Sequence, residues 1–167
     1  MASHAHLAAD DPALIDAAAA AMDAGGVAWT SLRADVFAVL AAGAQPMSAY
    51  DVTERVSARV GRRVQANSVY RILDLFVVNN LAKRVESRNA YVVNTHPACV
   101  HDCIFLVCEG CGDTRHLDDD RLAGALRARA SAAGFLPLRP VLEVQGRCER
   151  CGDSATEKDN DDKRATF

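Results

Sequence analysis

Aromatic side chains are scarce in this chain: one Trp, three Tyr and five Phe, 5% of 167 residues. With a hydrophobic fraction of 50% a real core can form, but Ala, Val and Leu have to do most of its packing. No apolar run approaches the roughly 20 residues that a membrane-spanning helix needs. The Ala17–Ala21 stretch is too short for the apolar part of an export signal, and it follows Asp10, Asp11 and Asp16 where such a signal carries basic residues. Hydrolytic zinc sites keep an open coordination position beside a general base, commonly in a His-Glu-x-x-His pair, and no such motif occurs. These absences predict a cytoplasmic protein that is not an enzyme, with no membrane and no small-molecule substrate. A zinc metalloenzyme and a zinc-buffering protein are the alternatives to weigh.

A positive overall charge is lacking as well, the formal net charge being -3. Its distribution matters more than its total. From Arg55 to Arg88 there are eight Lys/Arg (Arg55, Arg59, Arg62, Arg63, Arg71, Lys83, Arg84, Arg88) against Asp74 and Glu86, a local charge of +6 (8 − 2). Acidic residues gather at Asp10 and Asp11, at Asp118 to Asp120, and from Asp153 to Asp162.

Six cysteines are present, and four of them form two Cys-x-x-Cys pairs, Cys108/Cys111 and Cys148/Cys151. Each pair puts two thiolates on one turn, and two such turns make a closed tetrahedral four-thiolate site of the kind zinc prefers. Both pairs run into glycine, Gly112 and Gly152, which lets backbone N–H groups curl toward the sulfurs. Cys111 and Cys148 are too far apart for a compact zinc ribbon, so the metal would clamp two distant segments. Disulfides would need an oxidising compartment. A thioredoxin-type site needs a single pair opening a helix early in a βαβ unit, whereas both pairs here come late and in strand-rich surroundings.

Hydrophobic spacing and capping signals divide the first half into helices. Asp11-Pro12 starts one that carries Leu14, Ile15, Ala18 and Met22 and ends at Gly25-Gly26. Thr30 or Ser31 opens a second, with Leu32, Val36, Val39 and Leu40 on one face, ending at Ala42-Gly43. Ser48-Ala49-Tyr50-Asp51 is a capping-box start for a third, which buries Val52, Val56 and Val60 and stops at Gly61. A fourth begins near Ala66 to Ser68, with Val69, Ile72, Leu73, Phe76 and Val77 inward and Asn79-Asn80 as its terminal turn. Leu81 to Glu86 and Ala90 to Val93 then read as two strands of a hairpin around Ser87-Arg88-Asn89. The last three helices and the hairpin give a winged helix-turn-helix, whose fourth helix would enter the major groove. A solvated basic helix face is the alternative reading of the charge.

The second half mixes elements. Strands are expected over Ile104 to Val107, Asp113 to Leu117 and Val141 to Gln145. A helix from Asp118 to Ala133 carries Leu122, Ala125, Leu126 and Arg129 at helical spacing. A small unit of this kind exposes strand edges and apolar surface and is expected to dimerise. The charged tail, 153–167, and residues 1–10 are expected to be disordered.

On these residues the chain resembles the ferric-uptake-regulator (Fur) superfamily, and within it the zinc-uptake-regulator (Zur) branch, over roughly Ala28 to Gly152. The matching stretches are Ser48-Ala49-Tyr50-Asp51, Asn67-Ser68-Val69-Tyr70-Arg71, Val85-Glu86-Ser87 with Tyr91, Phe105 to Gly112, and Glu143 to Cys148. The resemblance implies an α+β protein: an N-terminal winged helix-turn-helix domain (1–94), a hinge with metal ligands (95–102), and a small α/β dimerisation domain (103–152) with the four-cysteine zinc site. It also implies a homodimer on a double-stranded operator. Tyr50 and Arg71 would then read bases, with Arg71 suited to a guanine edge, while Ser68 and Tyr70 touch phosphate and Asn67 lies in the same DNA-binding set. Core packing is the alternative for Tyr50.

The resemblance also implies a second, sensory metal site. His101, seven residues before Cys108, and His116, five after Cys111, occupy ligand positions of the zinc-sensing branch. Two other positions depart from it: a His often found at the start of the wing is Lys83, and a Cys often found after the wing's Tyr is Asn94. His96 and Cys99 are expected to supply the missing nitrogen and sulfur, with Cys103 the runner-up for the sulfur. A thiolate in the set favours zinc over iron or manganese. Two zincs per protomer, one structural and one regulatory, would make a zinc-dependent repressor of zinc-uptake genes acting on a pseudo-palindromic operator. An iron- or peroxide-responsive regulator of the same superfamily is the alternative.

Overall fold

The computed structural model describes residues 12–95, 102–138 and 141–156, and it divides between Val100 and His101 into two compact units. The expected disorder at residues 1–10 and most of the expected tail lie outside the described residues.

The first unit is built on helices whose ends follow the local chemistry of the sequence. Helix α1 (Pro12–Ala24) buries Leu14, Ala18 and Met22, four residues apart, and leaves Ile15 41% exposed. Gly26 ends it in the left-handed region at φ 69. In α2 (Ser31–Ala41) the Thr30 hydroxyl accepts from the backbone N–H of Arg33, and Val36, Phe37, Val39 and Leu40 are buried. Helix α3 (Ala49–Val60) opens on a complete capping box: Asp51 N–H donates to Ser48 Oγ, and Ser48 N–H to Asp51 Oδ2, each at 3.2 Å. Gly61, at φ 68, ends it. The turn into α4 (Ala66–Val78) is held by the Val64 N–H donating to Ser57 Oγ at 3.0 Å. Helix α4 turns Val69, Ile72, Leu73 and Phe76 inward.

Three strands close this unit. Strand β3 (Ala90–Val93) lies between β2 (Ala82–Val85) and a two-residue strand β1 (Met47–Ser48), antiparallel to both. The β2–β3 hairpin is the wing, and the unit is a winged helix-turn-helix. Strand β1 has no counterpart in the sequence pattern, because two residues carry no periodicity. Ala, Val and Leu make up most of the core, as expected, and Trp29, Phe37 and Phe76 meet against it as a trio with ring centroids 5.8 to 6.0 Å apart. These three rings each contribute a large contact area for one side chain.

The second unit is a three-stranded sheet with two helices. Strand β4 (Ile104–Cys108) is central, antiparallel to β5 (Thr114–Leu117) and parallel to β6 (Leu142–Gly146). Helix α5 (Asp120–Ala132) is capped by Asp119, whose carboxylate accepts from Leu122 N–H at 2.9 Å. Arg127 on α5 forks onto both oxygens of Asp102, just ahead of β4, and donates to the Pro137 carbonyl at 2.9 Å. Of α5 only Ala123 is buried, while Leu122 and Leu126 remain exposed. A last helix, α6 (Glu149–Thr156), starts inside the second cysteine pair and passes the expected start of the tail at Asp153. The surroundings of that pair are therefore half helical rather than strand-rich. The α+β class holds for the chain as a whole.

Candidate metal centre and nucleic-acid interface

Strand β4 delivers Cys108 into a turn that carries Cys111, and β6, hydrogen-bonded parallel to β4, delivers Cys148 and the α6 turn with Cys151. Parallel pairing in this register, Cys108 opposite Gly146, aligns the two turns. The four Sγ atoms lie within 4.8 Å of one another, and Cys111 and Cys148 Sγ are 3.6 Å apart. Four thiolates at a Zn–S distance of about 2.3 Å stand ~3.8 Å apart, so the spacing and the soft donor set both fit zinc. Among the described residues the cysteines are unbridged thiols, and no other His, Cys, Asp or Glu cluster is close enough to hold a metal.

The electrostatics of the clasp favour a cation. The Cys148 N–H donates to Cys108 Sγ at 3.3 Å. With the N–H of Cys111 it lowers the Cys108 pKa to about 6. Cys151 is pushed up to about 12 by hydrogen bonding with the Cys111 and Cys148 sulfurs, since each neighbouring sulfur makes a further thiolate costly. Arg150 has its own pKa raised by Cys148 and Cys111 and lies 3.7 Å from Asp113, adding positive charge beside the sulfurs. Four thiolates around one divalent ion leave two negative charges, which Arg150 partly offsets.

Glycine works here differently from expectation. Gly112 does adopt φ 77. Gly152 lies inside α6, and a Cβ there would meet nothing within 4 Å. The constrained position is Gly110, between the first two cysteines: a Cβ would stand 2.9 Å from Cys151 Sγ. A small residue inside the first pair, where the second has Arg150, was the available signal.

Three of the expected sensory ligands, His96, Cys99 and His101, lie outside the described residues. His116 is exposed on β5 opposite Phe105, their rings 5.8 Å apart. The runner-up, Cys103, is half-buried just before β4. Asn94 is buried, its side-chain N–H donating to the Asn80 carbonyl at 2.6 Å.

On the first unit, the residues expected to meet DNA sit at the N-terminal ends of α3 and α4. Tyr50 is 65% exposed and Tyr70 45%, so Tyr50 is not a packing residue of α3. Asn67 and Arg71 are exposed and Ser68 half-buried. The basic surplus is smaller than the sequence count, because Arg59 pairs at 3.0 Å with Asp35, which lies outside the counted stretch; Arg84 pairs at 3.1 Å with Glu86, already subtracted there. Arg55, Arg62, Arg63 and Arg71 remain as exposed cations on the helices and their turn.

A winged helix followed by a sheet unit clasped by four cysteines defines a metal-binding protein of the winged-helix class. The model of the Ferric uptake regulator family matches residues 24–144. The Zinc uptake regulation protein of Escherichia coli (strain K12) is 25% identical over 126 residues, which cover 75% of this chain and 73% of that protein. The crystal structure of holo XcZur is matched with a TM-score of 0.72 at 32% identity, covering 84% of this chain and 98% of that one. A zinc uptake regulator complexed with zinc and DNA shares the fold at 23% identity, with a TM-score of 0.78 over 86% of this chain and 96% of that one. The chain belongs to the Ferric uptake regulator family, whose members are transcription regulators and not enzymes.

Proposed function

We propose that this regulator is a zinc-dependent repressor that binds a pseudo-palindromic operator as a homodimer and silences zinc-uptake genes when zinc is sufficient. The observation that carries the reading is the pairing of a thiolate clasp of zinc dimensions with a winged helix that exposes Tyr50, Tyr70 and Arg71. The relatives named for zinc uptake, one of them in complex with zinc and DNA, support the same metal and the same partner.

Cys108, Cys111, Cys148 and Cys151 hold the structural zinc, which locks the end of the sheet without any open coordination position. His96, Cys99, His101 and His116, with Cys103 as alternative sulfur, hold the regulatory zinc, making two per protomer. Arg71 reads a guanine edge and Tyr50 an adjacent base, while Asn67, Ser68 and Tyr70 position the helix. Exposed Leu122, Leu126, Phe135, Leu136, Leu138 and Val144 on the second unit supply the apolar surface that a second copy would cover. No described helix is long and apolar enough to cross a membrane, in keeping with a protein that works on DNA in the cytoplasm. Zinc at the regulatory site favours the arrangement in which both recognition helices meet successive major grooves.

Zinc stoichiometry per protomer tests the ligand assignment. The parent holds two zincs, and Cys99→Ser, Cys103→Ser or His101→Ala hold one where the residue is a ligand. No loss in any of the three places the sensor elsewhere. Arg71→Ala separates a regulator from a zinc buffer: DNA binding is lost while zinc content stays the same.

A further inference from the structure

We propose that the wing reads the minor groove beside the recognition helix, with Arg88 as the inserted side chain and Arg84 as the residue that holds the wing's apex in shape. The inference rests on the DNA-binding reading above and adds a second, shape-dependent source of sequence choice to it.

Strands β2 and β3 are joined by a 3-10 turn, Glu86–Arg88, and by Asn89 in the left-handed region at φ 46. The Arg84 guanidinium closes this turn from inside. Its Nε lies 3.1 Å from Glu86 Oε2, its Nη2 donates to Asn89 Oδ1 at 2.7 Å, and its Cζ sits 5.9 Å from the centre of the Tyr91 ring. Arg84 therefore spans both shoulders of the apex, and its charge is matched by Glu86. Arg88 is exposed and takes no part in that network. The apex thus presents Arg88 as a cation on a braced support.

The position of the apex follows from strand register. Ala90 pairs with Ser48, the cap of α3, and Tyr91 pairs with Met47. Strand β2 of the wing packs against α4. Arg88, two residues from Ala90 in the turn at the hairpin's apex, accordingly lies past the pairing with the α3 cap. With α4 in the major groove, an element projecting beside it meets the flanking phosphate ridge and then the minor groove. Arginine is the side chain drawn into minor grooves narrowed by A·T pairs, where the potential is most negative.

The test uses the zinc-loaded full chain and a duplex selected by it from a random-sequence pool. Flanking A·T pairs of that duplex are replaced by I·C and by G·C. An I·C pair resembles G·C in the major groove but lacks the guanine amino group in the minor groove. The parent is expected to bind A·T and I·C flanks alike and G·C flanks about tenfold more weakly. Arg88→Ala should flatten that difference while selecting the same core. Arg84→Gln should flatten it as well, with zinc content unchanged. The proposal is overturned if Arg88→Ala weakens all three duplexes equally, as a phosphate contact would, if it changes none of them, or if I·C behaves as G·C in the parent. Failure of the DNA-binding reading looks different: the parent enriches no sequence, Arg71→Ala matches the parent, and the proposal falls with that reading.

Discussion

The side-chain N–H of Asn94 donates to the backbone carbonyl of Asn80 at 2.6 Å, while the Asn94 backbone N–H donates to Leu81 at 2.9 Å. The two bonds tie the end of the wing to the turn after α4, where Asn80 adopts φ 60. This is the position at which the zinc-sensing branch often has a ligand Cys. Here the side chain serves the fold, and the proposed sensor draws its sulfur from Cys99 or Cys103 instead. Asn94→Ala should cost about 1 kcal/mol, because the half-buried Asn80 carbonyl loses this hydrogen bond. Denaturant unfolding of the parent and the variant measures it, with zinc content expected to stay the same.

Gly110→Ala should weaken zinc binding at the clasp, since its Cβ would stand 2.9 Å from Cys151 Sγ and 3.0 Å from Cys151 Cβ. Gly152→Ala, whose Cβ meets nothing within 4 Å, should leave zinc binding intact. Gly124→Ala on α5 is equally unobstructed and should stabilise the helix by up to about 1 kcal/mol. Chelator competition separates Gly110→Ala from the other two variants, and denaturant unfolding measures the gain in Gly124→Ala.

Zinc uptake by the metal-free clasp should release protons. Near neutral pH Cys108, at about 6, is a thiolate, and Cys151, at about 12, still carries its proton. Zinc has to displace that proton, so apparent affinity rises with pH, by at least about tenfold per unit for one proton displaced. Below pH 6 Cys108 also takes up a proton and affinity falls more steeply. Competition titrations at pH 6 and pH 8 should show the difference, and equal affinities would contradict it.

Features set by neighbouring residues were legible in the sequence. The Ser48/Asp51 capping box, the Gly61 stop and the wing around Ser87-Arg88-Asn89 depend on a few residues each, and the four-cysteine clasp shows in its spacing alone. What depends on distant partners was not. Strand β1 exists because Met47 and Ser48 pair with Tyr91 and Ala90, 42 or more residues away. The Trp29/Phe37/Phe76 trio joins the approach to α2, α2 and α4 across the core. Helix α6 is charged and starts within the second cysteine turn, so no apolar stripe announces it. Leu122 and Leu126 show their helical spacing plainly, but spacing cannot say that they stay exposed among the described residues.

The affinity of the full chain for its selected duplex, with and without zinc, tests the central claim most directly. Zinc should tighten binding ~100-fold, which corresponds to about 2.7 kcal/mol of coupling between the metal and DNA sites. Equal affinity in the two conditions would contradict the account.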